Sequence, residues 1–331
     1  MLSKDSLQRL QAAVEEPDLE GTRYRVIERI GRGGMGSVYL AEDSELQRTV
    51  ALKVMNLTDP TGDLARRMWR EARIVAQLEH PGIVPIHDVG ILPDRRVFYA
   101  MKHVQGSRLD EYRSKEPSQA ELLRLFEKIC EAVAFANAQG VIHRDLKPEN
   151  IMVGPFGEVL VMDWGVAKVL LNSDTGSSAD TESSVSQKSE TDTQHGTIIG
   201  TKGYMSPEQA RGETDALDQR TDVYSLGAIL NFLLTGNHPG SNSAAEKTSR
   251  VPKRLAAICR KAMAESPSDR YVGAEELAAD IARFFDHQPV SAYRENPIER
   301  AARWIDRNRF VVYLVVTYLI LRFLVLLFLN R

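Results

Sequence analysis

Cysteine is scarce in this chain of 331 residues, and neither sign of charge is in clear excess. The two cysteines, Cys130 and Cys259, fall in apolar stretches with a helical pattern. A secreted scaffold held by disulfides is therefore excluded, and both thiols are expected in the core. Lys and Arg number 42 against 45 Asp and Glu, a net charge of -3. Without a basic excess, binding to nucleic acid through general phosphate neutralisation is not expected.

A secretory signal sequence is lacking as well. Residues 1–22 carry charges throughout and contain no continuous apolar run, which indicates a leader that stays in the cytosol. With 43% hydrophobic and 26% charged residues, the chain is neither mainly disordered nor collagen-like. At roughly 100 to 200 residues per domain, its length fits one large or two ordinary domains with a buried core.

One long apolar run stands at the far end of the chain. Residues 310–329 read FVVYLVVTYLILRFLVLLFL, about the 20 residues that a helix needs to cross the hydrocarbon core of a bilayer. The run has one charge, Arg322, whose long side chain can reach the headgroups. The sequence therefore predicts a transmembrane helix. A buried hydrophobic helix or a dimerisation element is the alternative that Arg322 keeps open.

Arginines around this run predict its orientation. Within the basic juxtamembrane segment 287–309, four arginines lie in the ten residues before the run, and only Arg331 follows it. The four are Arg300, Arg303, Arg307 and Arg309. By the positive-inside rule, everything upstream remains in the cytoplasm. We expect a single-pass protein of the cell membrane with its main domain cytoplasmic.

Between the two ends, the hydrophobic period changes from that of strands to that of helices. From about residue 23 to 101, short β-rich runs such as YRVIERI, SVYLAE, VALKVM and VFYAM are interrupted once, by a helical stretch at about 65–78. From about residue 120 onward, apolar residues recur at helical spacing. One such face consists of Leu122, Phe126, Ile129 and Val133. We predict an α+β chain with two lobes, a small antiparallel β lobe holding one main helix and a larger, mainly helical lobe.

A hydrophilic segment interrupts the helical lobe. Residues 172–196 are mostly Ser, Thr, Asp and Gly, with few apolar residues. Such a composition cannot bury enough surface to order itself. We expect a flexible loop inserted within the lobe.

A glycine-rich run occupies residues 31–38, which read GRGGMGSV. Its GxGxxG spacing is shared by dinucleotide-binding turns and by the phosphate-binding loops of kinases. A dinucleotide-binding turn opens into a helix, whereas β-favouring runs flank these glycines on both sides, which predicts the tip of a hairpin. Gly31, Gly33 and Gly36 would let backbone N–H groups approach phosphate oxygens, because no Cβ is in the way. Taken alone, the spacing is equally consistent with a merely flexible hairpin tip.

Four further motifs follow in order along the chain. VALK at 50–53 places Lys53 on the next strand, and Glu71 lies on the helix after it, where the two side chains can pair. Taken alone, such a pair is as consistent with a surface salt bridge. HRDLKPEN occupies 143–150, DWG 163–165 and SPE 206–208. Their order, on the expected strand, loop and helix contexts, excludes a chance agreement.

With these motifs, the chain resembles the eukaryotic-like (Hanks-type) protein kinases, and among them the bacterial membrane-anchored Ser/Thr kinases. The resemblance runs over residues 23–286 and implies an N-lobe at 23–104 and a C-lobe at 105–286. YMSPEQARG at 204–212 and DVYSLG at 222–227 extend it beyond the catalytic motifs. The implied fold is the bilobal protein kinase fold, followed here by the predicted transmembrane helix.

The resemblance implies an enzyme that transfers the γ-phosphoryl group of Mg-ATP to Ser or Thr hydroxyls of protein substrates. Negative charge spreads over the equatorial oxygens during transfer, so catalysis is mostly positioning and neutralisation. Lys53, oriented by Glu71, would contact the α- and β-phosphates. Asn150 and Asp163 offer the hard oxygen ligands that Mg²⁺ prefers, with Mn²⁺ as a substitute.

The acceptor side of the implied site lies around Asp145. This carboxylate would accept the proton of the attacking hydroxyl as a general base. Lys147 would neutralise the moving phosphoryl group, and its presence resembles Ser/Thr kinases rather than tyrosine kinases. Thr201 would hydrogen-bond Asp145 and Lys147 and shape the acceptor site.

The resemblance also implies which residues surround the nucleotide. Val38 and Ala51 would cover the adenine on one side and Met152 on the other. The adenine edge would hydrogen-bond the backbone of Lys102 and Val104. The set is completed by the gatekeeper Met101 and by the loop residues Ile30, Gly31, Arg32, Gly33, Gly34, Met35, Gly36 and Ser37.

Regulation is implied by Arg144, which precedes the general base. In related kinases this arginine pairs with a phosphorylated residue of the activation segment. We predict autophosphorylation within 172–201, with Thr197 as the first candidate and the Ser/Thr residues upstream as competitors. A homodimer would bring two copies together for this reaction. The alternative is that the hydrophilic insert is only a solvated linker.

Two structural contacts and two departures complete the comparison with the family. Glu208 is expected to pair with Arg270, and Asp222 to brace the catalytic loop. Trp164 stands where Phe is usual, and its larger ring should pack on its neighbours. These neighbours are Val75, Ile86 and His143. The segment 236–251 is short and Ser/Asn-rich where relatives carry a helix that docks protein substrates, so the resemblance does not indicate how substrates are recognised.

Two classes of function remain open. The first is an active Ser/Thr kinase tethered to the inner face of a membrane. The second is a pseudokinase-like module that binds nucleotide or partners without transferring phosphate. Every residue that the chemistry requires is present, which favours the enzyme.

Overall fold

The structure is a computed structural model of the chain. It describes residues 16–33, 36–55, 62–164, 168–169, 201–213, 217–239 and 251–329. Gly34, Met35, Thr197 and the insert 172–196 lie outside these ranges, and what the sequence predicts for them stays a prediction.

An antiparallel sheet of five strands forms the first lobe. Its strands are β1 (Tyr24–Arg32), β2 (Gly36–Asp43), β3 (Arg48–Met55), β4 (Ile86–Ile91) and β5 (Val97–Lys102). They lie in the order β1-β2-β3-β5-β4, and each pair of neighbours is antiparallel. Helix α1 (Asp63–Ala76) crosses between β3 and β4. The predicted β lobe with one main helix is confirmed.

Strand β4 is the one strand of this sheet that the periodicity does not predict. Five of its six residues are half-buried and Ile91 is exposed, so apolar and polar residues do not alternate. As the last strand in the sheet order it pairs only with β5. Its Asp88 accepts hydrogen bonds from the Tyr24 hydroxyl at 2.8 Å and from Arg23 at 3.0 Å. Strand β4 is therefore held in part by polar hydrogen bonds, and it lacks the alternating buried residues from which a strand is predicted.

Helices dominate the second lobe. They are α2 (Leu109–Ser114), α3 (Gln119–Ala138), α4 (Pro207–Ala210), α5 (Arg220–Thr235), α6 (Lys253–Ala262) and α7 (Ala274–Phe285). The Ser118 side chain caps α3 by accepting from the Glu121 amide, and Gly236 ends α5 with a left-handed φ of 74°. The predicted face of α3 is buried, at Leu122, Phe126, Ile129 and Val133. The predicted helical lobe is confirmed.

Both cysteines lie in this helical core. Cys130 on α3 and Cys259 on α6 are buried free thiols. Burial raises the pKa of both, to about 12 for Cys259, because an apolar surrounding disfavours the thiolate. The prediction that both thiols lie in the core is confirmed.

Short strands position the loops between the lobes. They are β6 (Ser107–Arg108), β7 (Val141–Ile142), β8 (Ile151–Val153), β9 (Val159–Val161) and β10 (Lys168–Val169). Residues 143–150 connect β7 to β8, and residues 162–164 leave β9. The Val161 amide donates to the carbonyl of Gly82 at 2.8 Å, and the Val84 amide donates to the carbonyl of Val161 at 3.3 Å. These bonds join the small lobe to the strand from which the DWG residues emerge.

Two helices follow the second lobe, α8 (Pro297–Arg307) and α9 (Arg309–Leu329). Over the residues described, no helix combines the length and the apolar character needed to cross a membrane. The predicted transmembrane helix is therefore not confirmed and stays a prediction.

A buried ion pair joins α4 to the segment before α7. Arg270 binds Glu208 with both ends of its guanidinium, at 2.7 Å each, and both side chains are at most 2% exposed. The guanidinium also donates to the carbonyls of Arg220, Ala264 and Glu265 at 2.8 to 3.0 Å. The predicted pair is confirmed, and every donor group of the arginine end is engaged.

We expect Glu208→Gln to lower the free energy of unfolding at pH 7 by roughly 3–5 kcal/mol, because it leaves a buried guanidinium without its anion. Burial alone would raise the pKa of Glu208, but the hydrogen bonds and charge of Arg270 outweigh it and lower the pKa from 4.5 to about 2. The stabilisation is therefore complete above pH 4.5 and is lost as the pH falls toward 2. Urea unfolding of both proteins across this range measures it.

The matched control is Glu213→Gln, which removes an exposed pair of the same chemistry, Arg211 with Glu213 at 2.7 Å. Because solvent screens exposed charges, this variant should unfold at the same urea concentration as the unaltered chain. Equal effects of the two variants, or a Glu208→Gln deficit that persists at pH 2, would contradict the role of the buried pair.

Candidate active site

A cavity of about 500 Å³ opens between the lobes. The β1–β2 hairpin contributes Gly31, Gly33 and Gly36 to its wall, so the predicted hairpin tip lies at the cleft. The opposite wall holds Asp145 and Asp163. Residues more than a hundred positions apart in the chain therefore line one space.

The lysine of VALK pairs with the predicted glutamate. Lys53 Nζ lies 3.0 Å from Glu71 Oε1 and 3.2 Å from Asp163 Oδ1. Glu71 is 4% exposed, and its Oε1 also accepts a hydrogen bond from the Tyr99 hydroxyl at 2.8 Å. The pair is buried, so the alternative of a surface salt bridge is wrong. It links β3 to α1 and reaches across to the second lobe.

Electrostatics keep Lys53 and Asp163 charged at neutral pH. Burial works against the ammonium of Lys53, but its interactions with Tyr99, Glu71 and Asp163 raise its pKa above the usual range. Burial likewise works against the carboxylate of Asp163, but the charge and hydrogen bond of Lys53 lower its pKa. Lys53 is therefore a cation and Asp163 an anion in the cleft.

Asp145 is held through one of its two carboxylate oxygens. Oδ2 accepts from Lys147 Nζ at 2.8 Å and from Asn150 Nδ2 at 3.1 Å, and Asn150 also donates to the Asp145 carbonyl at 2.8 Å. No residue in the described ranges donates to Oδ1. The side chain is 31% exposed. One oxygen thus fixes the carboxylate and the other is accessible from the cleft.

The loop that carries Asp145 is supported from beneath. Asp222, fully buried, accepts from the backbone amides of His143 at 2.9 Å and Arg144 at 3.0 Å, which confirms the predicted brace. His143 Nδ1 accepts from the Asp145 amide at 3.2 Å, and Nε2 lies 3.0 Å from the Met162 carbonyl. Because a carbonyl can only accept, Nε2 carries the ring proton.

Two residues of the site adopt a left-handed backbone. Arg144 has φ 69° and Asp163 has φ 60°, a region that costs a non-glycine residue about 1–3 kcal/mol and persists only where surrounding contacts impose it. Asp222 imposes it on Arg144, and Lys53 holds the side chain of Asp163. The backbone at both sites is therefore fixed by contacts from other elements.

Trp164 packs as predicted. Its side chain is 1% exposed, and its ring centroid lies 4.5 Å from that of His143. It belongs to the same apolar cluster as Val75 and Ile86. The larger ring is thus accommodated beneath the cleft while Asp163 still faces Lys53.

The predicted adenine neighbours share one apolar cluster. Ala51, Met101 and Val104 are buried, and Val38 and Met152 pack against them. The backbone amide of Lys102 donates to the Pro85 carbonyl at 3.1 Å, so this N–H already has a partner within the protein. The sequence therefore identifies residues that lie together in space. The structure adds that the N–H of Lys102 is already hydrogen-bonded, so it is not free for a ligand.

The glycine-rich loop has a tight turn and a close strand contact. The Gly33 amide donates to the Gly36 carbonyl at 2.8 Å. A Cβ at Gly36 would lie 2.4 Å from the Val54 carbonyl oxygen, so the packing of β2 on β3 requires glycine there whether or not phosphate binds. Of the other predicted loop residues, Arg32 lines the cavity, Ser37 is buried and Ile30 is 46% exposed on β1.

Asn150 and Asp163 are the residues that could hold a metal. In the described part of the chain, no group of three or more His, Cys, Asp or Glu side chains is placed to bind one by itself. One amide oxygen and one carboxylate at the same cleft nevertheless suit Mg²⁺, which takes few protein ligands and completes its shell with phosphates and water. The donor set fits an ion that arrives with a nucleotide.

Thr201 and Tyr99 mark the limits of sequence reasoning at this site. Thr201 begins a 3₁₀ turn, Thr201–Tyr204, but its side chain is outside the described set, so its bonds to Asp145 and Lys147 stay a prediction. Tyr99 was not predicted to take part. It lies opposite Lys53 in the β3–β5 register, and only that pairing could have indicated its contact with Glu71.

Known proteins resemble this chain over most of its length. The family model for the protein kinase domain matches residues 24–287. The chain is 34% identical over 298 residues to the serine/threonine-protein kinase PknD of Protochlamydia amoebophila (strain UWE25), covering 80% of this chain and 30% of that protein. It is 36% identical over 302 residues to PknD of Chlamydia trachomatis serovar L2b (strain UCH-1/proctitis), covering 81% and 32%. The chain thus spans about a third of the length of these curated relatives.

A solved structure has the same fold. The crystal structure of the Mycobacterium tuberculosis PknI kinase domain aligns with a TM-score of 0.58 at 24% identity, covering 79% of this chain and 95% of that chain. The family match covers most of the chain, and the cleft contains the ion pairs that the family motifs imply. The chain belongs to the protein kinase family, in its eukaryotic-like (Hanks-type) bacterial serine/threonine branch.

Proposed function

We propose that the chain is an active kinase that transfers the γ-phosphoryl group of Mg-ATP to Ser or Thr hydroxyls of proteins. The observation that carries the proposal is the convergence of Lys53, Asp145, Asn150 and Asp163 on one cavity. A module that only binds nucleotide has no need of a carboxylate positioned beside the acceptor site. The pseudokinase-like alternative has no comparable observation in its favour.

The geometry supports a separate role for each polar residue of the cleft. Lys53, kept charged and held by Glu71, places a cation where phosphate oxygens would lie beneath the glycine-rich loop. Asn150 and Asp163 would hold the magnesium ion, which supplies neutralisation of the phosphates when bound. The free oxygen of Asp145 would take the hydroxyl proton as the hydroxyl oxygen bonds to the γ-phosphorus and the bond to the β-phosphate breaks. Lys147 lies 2.8 Å from Asp145, close enough to neutralise the group in transit.

Autophosphorylation of the segment 172–201 is supported by the surroundings of Arg144. Its backbone is fixed by Asp222, but its Nε is buried and has no hydrogen-bond partner among the described residues. Burial lowers the pKa of Arg144, and the nearby positive charge of Arg70 on α1 lowers it further. A phosphate near these two guanidinium groups would offset their mutual repulsion. A phosphorylated residue such as Thr197, presented in a homodimer, would supply one.

Attachment to a membrane is supported by the surface of α9. Large apolar side chains are exposed along it, among them Phe310 at 75% and Leu314 at 72%. Exposed apolar area of this extent is unfavourable in water and marks a surface that something covers. The arginines that precede α9 would keep the kinase domain on the cytoplasmic side. We therefore assign the chain to the inner face of the cell membrane, where it would act in signal transduction.

Loss of the charge of Lys53 or of Asp145 should strongly reduce turnover. We expect Lys53→Met and Asp145→Asn each to reduce phosphoryl transfer to a generic protein acceptor by roughly 10²-fold or more. The measurement is incorporation of labelled phosphate by the purified full chain with Mg-ATP. Lys128→Met on α3 and Asp286→Asn in the turn after α7, which change the same residue types at exposed positions, serve as controls and should retain full activity. Equal activity in all five proteins would refute the assigned roles.

Mass spectrometry of the full chain after incubation with Mg-ATP should find phosphate within 172–201. The Asp145→Asn chain, incubated alone, should carry none, because the phosphate would come from the chain's own activity. Arg144→Gln should still acquire phosphate but gain no activity from it, since the anion would lack its cation. Phosphorylation of a substrate by a chain that carries no phosphate in this segment would contradict the predicted autophosphorylation.

Cell fractionation tests the membrane assignment. The full chain should sediment with membranes, and a chain without residues 310–331 should move to the supernatant, because the apolar helix is gone. Kinase activity of the shortened chain serves as the control for folding. If the shortened chain still sediments with membranes, α9 is not the attachment.

A further inference from the structure

Helix α8 exposes the large apolar residues that an ordinary surface helix would bury. Its large apolar residues are exposed, with Ile298 at 80%, Trp304 at 54% and Ile305 at 48%. Two of its charged side chains are much less exposed, Arg303 at 17% and Glu299 at 30%. A helix on a water-soluble domain normally buries its apolar face and exposes its charges. On α8, Arg303 and Glu299 face the protein.

Ion pairs hold the charged side against the second lobe. Glu295, 5% exposed, receives Arg303 at 2.7 Å from α8 and lies 3.5 Å from Arg254 of α6. Glu299 accepts a hydrogen bond from the Tyr293 hydroxyl at 3.0 Å. Because one largely buried carboxylate serves arginines from two helices, α8 has a defined position on the lobe.

The segment that leads into α8 is tied down as well. Asp280 of α7, fully buried, accepts from the Ser291 amide and hydroxyl, each at 2.8 Å, and from the Ala292 amide at 3.1 Å. The Tyr271 hydroxyl donates to the same carboxylate at 2.9 Å. The connection between the kinase domain and α8 is therefore part of the fold, and a freely swinging linker is not what joins them.

The outward face of α8 is continuous but small. Ile298, Ala301, Trp304 and Ile305 share one side at helical spacing, and all are exposed. A helix of 11 residues is about 16 Å long and 10 Å wide, so its face measures on the order of 10² Å². A stable protein interface needs about 800 Å² per partner. This face alone is too small to hold a second copy.

We propose that the outward face of α8 lies in the headgroup region of a lipid bilayer. Only Asn308 separates α8 from the apolar helix α9, so a membrane that covers α9 meets α8 next. Tryptophan favours this zone because its ring is apolar and its N–H is polar. Arg300 on α8 and Arg294 three residues before the helix are both exposed, and their charges suit anionic headgroups. The inference rests on the proposed membrane attachment through α9.

The consequence concerns the orientation of the kinase domain. Since ion pairs fix one side of α8 to the lobe and lipid would fix the other, the active-site cleft would be held at one angle to the membrane. A flexible tether would instead allow every angle. Helix α8 would thus set which membrane-proximal proteins can present a hydroxyl to Asp145.

Tryptophan fluorescence of the full chain on vesicles tests this placement. The chain has three tryptophans, and the difference between the unaltered chain and Trp304→Phe isolates the emission of Trp304. On vesicles of phosphatidylethanolamine and phosphatidylglycerol, Trp304 should shift to the blue, be quenched by lipids brominated near the headgroup, and be shielded from acrylamide. The buried Trp164, 1% exposed, should respond to neither quencher.

Paired variants separate the face from general hydrophobicity. Ile298→Asp with Ile305→Asp should leave the chain on the vesicles through α9, but abolish quenching of Trp304 by brominated lipid and restore its access to acrylamide. The matched control is Ile27→Asp with Ile91→Asp, two residues of the β lobe that are each 53% exposed. The control should leave the fluorescence of Trp304 unchanged.

Other outcomes overturn the inference in distinguishable ways. A chain that sediments with vesicles while Trp304 stays open to acrylamide refutes the placement of α8 and leaves the attachment through α9 standing. Shielding of Trp304 from both quenchers means that protein, such as a second copy, covers the face, and it also refutes the placement. A chain that does not sediment refutes both the attachment and this inference, and its phosphoryl transfer, measured in parallel, reports separately on the kinase assignment.

Discussion

The ion pair between Lys53 and Glu71 is the contact on which the rest of the structure depends. A charge taken out of water is costly unless it is paired and hydrogen-bonded, and this pair joins a strand to the one main helix of the small lobe. The contact of Lys53 with Asp163 carries the linkage into the second lobe. Two of these three charges, Lys53 and Asp163, are those that a triphosphate and its magnesium ion would engage, and Glu71 orients the first of them. Stability and function therefore rest on one set of side chains.

Buried polar contacts recur wherever the molecule must hold a loop in one place. Asp222 supports the loop that carries Asp145, Glu208 and Arg270 join distant parts of the helical lobe, and Asp280 ties the segment that leads into α8. In each case one carboxylate accepts several hydrogen bonds, which fixes both the direction and the length of the contacts. Apolar burial alone is non-directional, so it could pack these elements without setting the angle of a catalytic loop or of a terminal helix.

Much of this arrangement is readable from local patterns. The spacing of apolar residues predicts α3, α5 and α7, because burial of one face imposes a period on the sequence. The ordered motifs predict the pairing of Lys53 with Glu71 and of Glu208 with Arg270. The pattern does not predict β4, whose residues are half-buried at a sheet edge, or the part played by Tyr99, which depends on strand register. Register and edge position follow from contacts between strands, which no local window contains.

By itself, the sequence determined the lobes, the order of the site residues and the presence of an apolar end, since composition and period report what each segment must bury. Only the tertiary structure decided which atoms meet: that Asp145 is held through one oxygen, that the Lys102 amide already has a partner, and that α8 turns Arg303 toward the protein. An amphipathic helix has two faces in any sequence. Which of them the protein covers is settled by the residues packed against it, here by Glu295 and the arginines around it.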